Sequence, residues 1–355
     1  MLKTSLFLLS FILCSSQLFA NKHKYVEWKL ALAWKSTLTP LSSPSFKISQ
    51  IVKEMSNGKF TIKVDGLEKH QSSDIANMIQ NDKYQMIHSD SYQWKKQDIN
   101  TIWFTGVPFG MTRKEQYTWF YYGDGQKYMS QVYGKFNLLA FPGGDLGSLM
   151  GGWSKKEILS SSDFHNLQVN TKGITSEILS MHKAVIKDIS RTKVNNAFLN
   201  NQLDIINGTS PSMDIKMGYH KIAPYYYTTW DKPASHTQFL VDKTAFENLP
   251  PQYKTILKNA IKIAAYDLYY ENFYESFKAL EKIQKEFPHV QIKALPKTVL
   301  QDLEKSKRLI FEQYSKENKM FKEIYNNQNA FLKRARNWTK IEEYSYIKSI
   351  DELKK

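Results

Sequence analysis

Residues 252–287 contain neither proline nor glycine, and their apolar residues recur at three- and four-residue spacing. That period predicts one continuous helix. At about 1.5 Å per residue such a helix exceeds roughly 50 Å, longer than a small domain. A chain of 355 residues has enough material for two domains of ordinary size.

The segments before this helix alternate in type. Residues 25–34 predict a first strand, 46–55 a helix stopped by Asn57-Gly58, and 60–64 a second strand. A short helix is expected at 72–80 and a third strand at 84–88, leading into Ser89-Asp90-Ser91-Tyr92. This β-α-β-α-β order predicts a parallel sheet with right-handed crossovers. Ligands of such sheets lie beyond the carboxyl ends of the strands, where Trp34 and the loop carrying Tyr92 fall. A second β/α run spans 167–206 and ends at Asn207-Gly208, which predicts a second domain. The loop 230–236 is expected to return the chain across the boundary. The division expected is 22–144 with 237–275, and 145–236 with 276–355. Helices are expected at 297–317 and 319–336; they can support a homodimer or cap the second domain.

The N-terminus reads as an export signal. Lys3 is the positive flank, residues 6–13 the apolar stretch, and Leu18-Phe19-Ala20 the cleavage region, giving a leader of residues 1–20. Cys14 is the only cysteine, so the exported protein is expected to hold no disulfide. Lys and Arg outnumber Asp and Glu by 49 to 34. No run of five basic residues occurs, which favours a solvated lysine-rich surface over a nucleic-acid interface.

Residues 141–157, FPGGDLGSLMGGWSKKE, place bare backbone beside large rings. Paired glycines suit either tight turns or a strand mouth that another group approaches closely. Together with GVPFGMT at 106–112, WFYYGDGQ at 119–126 and PYYYTTW at 224–230, this stretch resembles the substrate-binding subunit (DctP-like) of tripartite ATP-independent periplasmic (TRAP) transporters. The branch it resembles takes 2-oxo acids and monocarboxylates, and the similarity runs from about residue 26 to 345. The resemblance implies an α/β fold, periplasmic binding protein type II-like, with two domains around a ligand cleft and a long helix spanning both. It implies a periplasmic receptor that closes on a small solute and hands it to a membrane permease. Delivery to a membrane sensor is the alternative.

Several positions that carry the ligand in the family differ here. The arginine that pairs bidentately with carboxylate corresponds to Asn170, with Lys172 two residues on. A Glu-Trp pair corresponds to Asn207-Gly208, amide positions to Asp145 and Leu149, and a glutamate to Lys232. Two readings compete. In one the cleft is rebuilt for an altered solute, Asp145 and Lys232 (or Lys172) holding opposite ends and Trp34, Tyr92 and Trp230 closing round it. In the other Asp145 and Lys232 are a surface pair of about 0–1 kcal/mol, and the scaffold binds a protein. A simple 2-oxo acid requires Lys172 or Lys232 to replace the arginine's charge. No required metal or other cofactor is expected, since Asn207 keeps an oxygen but not a charge. His88 is expected to be packed, whereas His236 lies nearer the cleft. No nucleophile elbow, phosphate loop, dinucleotide fingerprint or zinc spacing occurs, so no enzyme is expected.

Overall fold

The computed structural model describes residues 25–69, 78–79 and 83–353. The leader expected at 1–20 and most of the helix expected at 72–80 lie outside these residues. Two sheets organise the rest. The first has the order β2-β1-β3-β10-β4, with β1 Val26–Leu32, β2 Phe60–Asp65, β3 Met86–Asp90, β4 Leu138–Asp145 and β10 His236–Asp242. Helix α1, Ser43–Met55, starts earlier than expected because Pro44 occupies its first turn, where a fixed φ is already helical. It ends at Asn57 and Gly58, both left-handed, as their sequence predicts.

Strands β1, β2 and β3 pair in parallel as expected, Val26 opposite Phe60 and Leu30 opposite Met86. Strand β10 runs antiparallel to both β3 and β4, so the sheet is mixed. The reason is the path of the chain: β4 runs out of this sheet and β10 is the return from the other.

The second sheet has the order β11-β9-β5-β8-β6-β7. Its strands are β5 Gly152–Ser154, β6 Gln168–Asn170, β7 Val185–Lys187, β8 Ile205–Ile206, β9 Tyr225–Tyr227 and β11 Gln291–Lys293. Short helices connect the first sheet (α2 Arg113–Tyr122, α3 Gly125–Gly134) and the second (α4 Gly173–Met181, α5 Arg191–Leu199, α6 Pro211–Met217). Helix α7, Lys243–Glu247, precedes α8, Pro251–Glu286, a single helix of 36 residues.

Helix α8 packs against α1, β4 and α6, and so touches elements of both sheets. Leu257, Ala260, Ile261 and Leu268 enter the larger core, whereas Ile283 enters the second core with Trp153 and Tyr226. Its outward side stays aromatic and exposed, including Tyr270, Phe273 and Tyr274.

The C-terminal helices divide between the two halves instead of all joining the second. Helix α9, Lys297–Glu317, lies on α4, with Tyr314 donating to Glu177 at 2.7 Å. Helix α10, Lys319–Ile341, turns back to α2, where Arg336 donates to both Glu115 oxygens at 2.6 and 2.8 Å. The bidentate pair and the Trp119 Nε1 bond to Asn327 at 2.8 Å assign this helix to the first half. Helix α11, Glu343–Leu353, has no buried residue.

The glycine-rich stretch serves packing more than ligand contact. Gly144 has φ +120°, and a Cβ there would meet the Leu268 side chain of α8 at 2.6 Å. Gly151 admits the Trp230 ring, whose Cδ1 would lie 2.5 Å from such a Cβ. Gly144→Ala should therefore destabilise the fold by about 1–3 kcal/mol. Gly134→Ala, with open space at the end of α3, should be neutral or stabilising by up to about 1 kcal/mol. Thermal unfolding of the two variants checks this; equal midpoints would overturn the packing account.

Candidate functional site

A cavity of about 250 Å³ lies where the two sheets approach. The first sheet's side contributes the end of β3 and segment 102–108; the second contributes 170–175, 189–190 and 206–209. The connections between the sheets add Leu146, Leu149, Lys232 and Ser235.

Of the residues singled out in the sequence, Tyr92, Asn170, Lys172, Asn207 and Lys232 all line this cavity. Trp34, Asp145 and Trp230 do not. Trp34 is buried in the first core with its ring edge-on to His88 at 4.7 Å. Trp230 packs toward Phe109 and Gly151 and lines a much smaller cavity behind, with Tyr227 and Leu295.

Asp145 is fully buried and accepts from the Gly147 and Ser235 backbone amides at 2.5 and 2.9 Å. His236 Nδ1 stands 3.2 Å from Oδ2, the oxygen that also accepts from the Ser235 amide. Burial pushes the Asp145 carboxyl up to about 7, against the opposing effect of those amides and of Arg113. A pincer of Asp145 and Lys232 on one zwitterion is therefore not assembled. The aspartate ties the outgoing strand to the returning one.

The two lysines differ. Lys172 pairs with Asp188 at 2.7 Å, both more than half exposed, an arrangement of little energy. Lys232 is half-buried, and its ammonium makes no ion pair or hydrogen bond among the described residues. Its carbonyl accepts from the Leu149 amide at 3.0 Å, which fixes its backbone on the crossing segment. The neighbouring Asp231 is fully buried and accepts from Thr175 Oγ1 at 3.0 Å. Burial raises its carboxyl while the Lys232 charge acts against the rise.

Asn170 Oδ1 accepts from the Ile189 amide at 3.0 Å, and its carbonyl accepts from the Asn207 amide at 3.1 Å. That leaves the Asn170 Nδ2 as a donor. The loop at 207–209 is held by Asp214, a buried carboxylate that accepts from the Thr209 amide, Trp153 Nε1 and Tyr226 at 3.0, 3.0 and 2.8 Å. Lining residues not proposed as ligand contacts from sequence include Asp90, Thr105, Ser190, Thr209 and Ser235. The 89–92 loop pointed to the first, the motif at 106–112 to the neighbourhood of the second and the 230–236 loop to the last; Ser190 and Thr209 carry no local signal.

Cationic groups and donors outweigh the single carboxylate in the lining, Asp90, so the cavity suits an anion. The model for bacterial extracellular solute-binding protein family 7 (DctP) matches residues 34–317, and the chain belongs to this family of solute-binding receptors. The chain is 37% identical to a TRAP periplasmic solute-binding protein from Colwellia psychrerythraea with bound calcium and pyruvate. That match covers 92% of this chain and 100% of that one, at a TM-score of 0.90. It is also 37% identical to a Pseudoalteromonas atlantica counterpart with bound sodium and pyruvate, covering 92% and 99%, at a TM-score of 0.88. The monocarboxylate 2-oxoacid-binding periplasmic protein of Nostoc sp. is 28% identical over 90% of this chain and 88% of its own length. TRAP receptors of this kind bind small solutes and deliver them to membrane permease components.

His88 is buried between Ser45 Oγ and Thr237 Oγ1, each 2.9 Å from a ring nitrogen. It is a packed histidine, and burial lowers its pKa to about 3. His236 is also fully buried and lies outside the cavity lining. A depressed histidine stabilises the fold above its unfolded pKa of about 6.5, and the contribution is lost as pH falls from there toward 3. His88→Gln should thus be less stable than the parent at pH 7, and the gap should narrow by up to about 1.4 kcal/mol per pH unit below 6.5. Paired unfolding curves at pH 7, 5.5 and 4.5 test this, and a constant gap would refute it.

Proposed function

We propose that the protein is a periplasmic receptor for a small monocarboxylate of the 2-oxo acid class and delivers it to a TRAP permease. The observation that carries the reading is Lys232, a half-buried lysine in the lining of the cavity between the two sheets, whose ammonium makes no ion pair or hydrogen bond among the described residues. Leaving a cation there without a partner has a purpose if an anionic ligand completes the pair. It supplies the charge that the neutral Asn170 lacks. The pyruvate held by the Colwellia and Pseudoalteromonas proteins and the name of the Nostoc relative support the same ligand class. Their periplasmic setting and the leader-like N-terminus support export.

The experiment is a thermal-shift screen of the mature protein, unfolded and refolded beforehand to release carried-over ligand. Saturation at about a hundredfold excess over Kd adds about 2.7 kcal/mol of stability. Shifts with pyruvate and related monocarboxylates, and none with polyamines or sugars, are expected. A shift with an amine alone would overturn the proposal. Lys232→Ala should weaken binding by about 1.5–3 kcal/mol, whereas Lys172→Ala should cost less than about 1 kcal/mol. Asp145→Asn should leave affinity unchanged, and calorimetry that reverses the lysine ranking would reject the assignment of Lys232.

A further inference from the structure

We infer that this cleft holds its carboxylate without a metal ion, the Lys232 ammonium serving where similar proteins carry a bound cation as well as pyruvate; this rests on the reading of the cavity as a carboxylate site. The Colwellia protein holds pyruvate with calcium and the Pseudoalteromonas protein holds it with sodium. Calcium takes six to eight oxygen ligands, carboxylates prominent among them. The lining here offers one carboxylate, Asp90.

Of the two side-chain amide oxygens in the lining, those of Asn170 and Asn207, one is already taken. Asn170 Oδ1 already accepts from the Ile189 amide at 3.0 Å, and Asp145, the nearest acid on the crossing strand, is outside the lining and bonded to two backbone amides. Among the described residues no group of three or more His, Cys, Asp or Glu is placed to hold a metal ion. With a single carboxylate, the lining side chains supply less negative charge than a divalent ion prefers.

The charges point the same way. Lys172 and Lys232 line the cavity with Asp90; Lys172 is paired with Asp188, which leaves Lys232 as the lining lysine that makes no ion pair among the described residues. An added ion would share about 250 Å³ with the Lys232 side chain, whose charge the buried Asp231 already feels, and like charges at such separations repel. An ammonium performs both tasks of the ion. It neutralises the carboxylate, and its three N–H donors can reach a carboxylate oxygen and the adjacent 2-oxo oxygen of one ligand. A metal ion accepts lone pairs from those two atoms; the ammonium donates hydrogens to them.

The test is calorimetric titration of pyruvate and 2-oxobutyrate into the refolded mature protein in three buffers of equal ionic strength. One contains chelator and choline, one chelator and sodium, and one calcium. Dissociation constants that agree within about threefold across the three support the inference. A loss of tenfold or more without sodium or calcium would overturn it and leave the carboxylate reading intact. Absence of binding in all three would overturn that reading itself. Lys232→Met, with its fold verified by circular dichroism, should bind about ten- to a hundredfold more weakly in every buffer. Parent-like affinity in that variant would remove Lys232 from the role.

Discussion

Asn272, buried on the long helix, donates from Nδ2 to the Leu146 carbonyl at 2.6 Å. Its Oδ1 accepts from the hydroxyls of Ser210 and Ser212 at 2.9 and 2.7 Å. One side chain thus joins α8, the segment leaving the first sheet and the start of α6 on the second. Left unpaired, those buried polar atoms would each cost about 1–3 kcal/mol, so the three elements are held in one arrangement. Asp145 acts beside it by binding the Ser235 amide across the two crossings. The cavity lies between these fixed connections, and its walls inherit their position.

The same arrangement accounts for the character of the site. The buried acids Asp145 and Asp214 are occupied with backbone amides and ring N–H groups. They shape the walls and do not face the cavity, since neither is in its lining. What remains to meet a ligand is an amide donor, hydroxyls, apolar surface, the Asp90 carboxylate, Lys172 in its pair with Asp188, and Lys232. Such a set selects by charge and size. It offers no nucleophile paired with a base, in keeping with a family of receptors.

Much of the architecture was legible because it depends on local pattern. The unbroken apolar period of 252–287 fixed α8 to within one residue at each end, and Asn57-Gly58 marked where α1 stops. The antiparallel course of β10 was not legible, since it follows from the path between sheets and not from the strand's own residues. Helix α11, which buries nothing, was not foreseen. In the site, five of eight named positions share the cavity because motif order carries their place in the fold. Asp145 could not be placed from sequence, because its orientation is decided by an amide 90 residues away. Trp230 was misjudged because the glycine beside it, Gly151, makes room for the ring inside the wall.

Lys232 belongs to neither sheet. It sits on the strap between β9 and β10, held through its carbonyl to the opposite strap at Leu149. A charge fixed on the seam is presented at nearly the same place whatever angle the two halves adopt. Its attraction therefore acts on the arrival of an anion, a rate that falls as salt screens it. The rest of the lining, carried by the two sheets, acts instead on departure. Recruitment and retention are thereby written into different parts of one chain, and each can drift in sequence without disturbing the other.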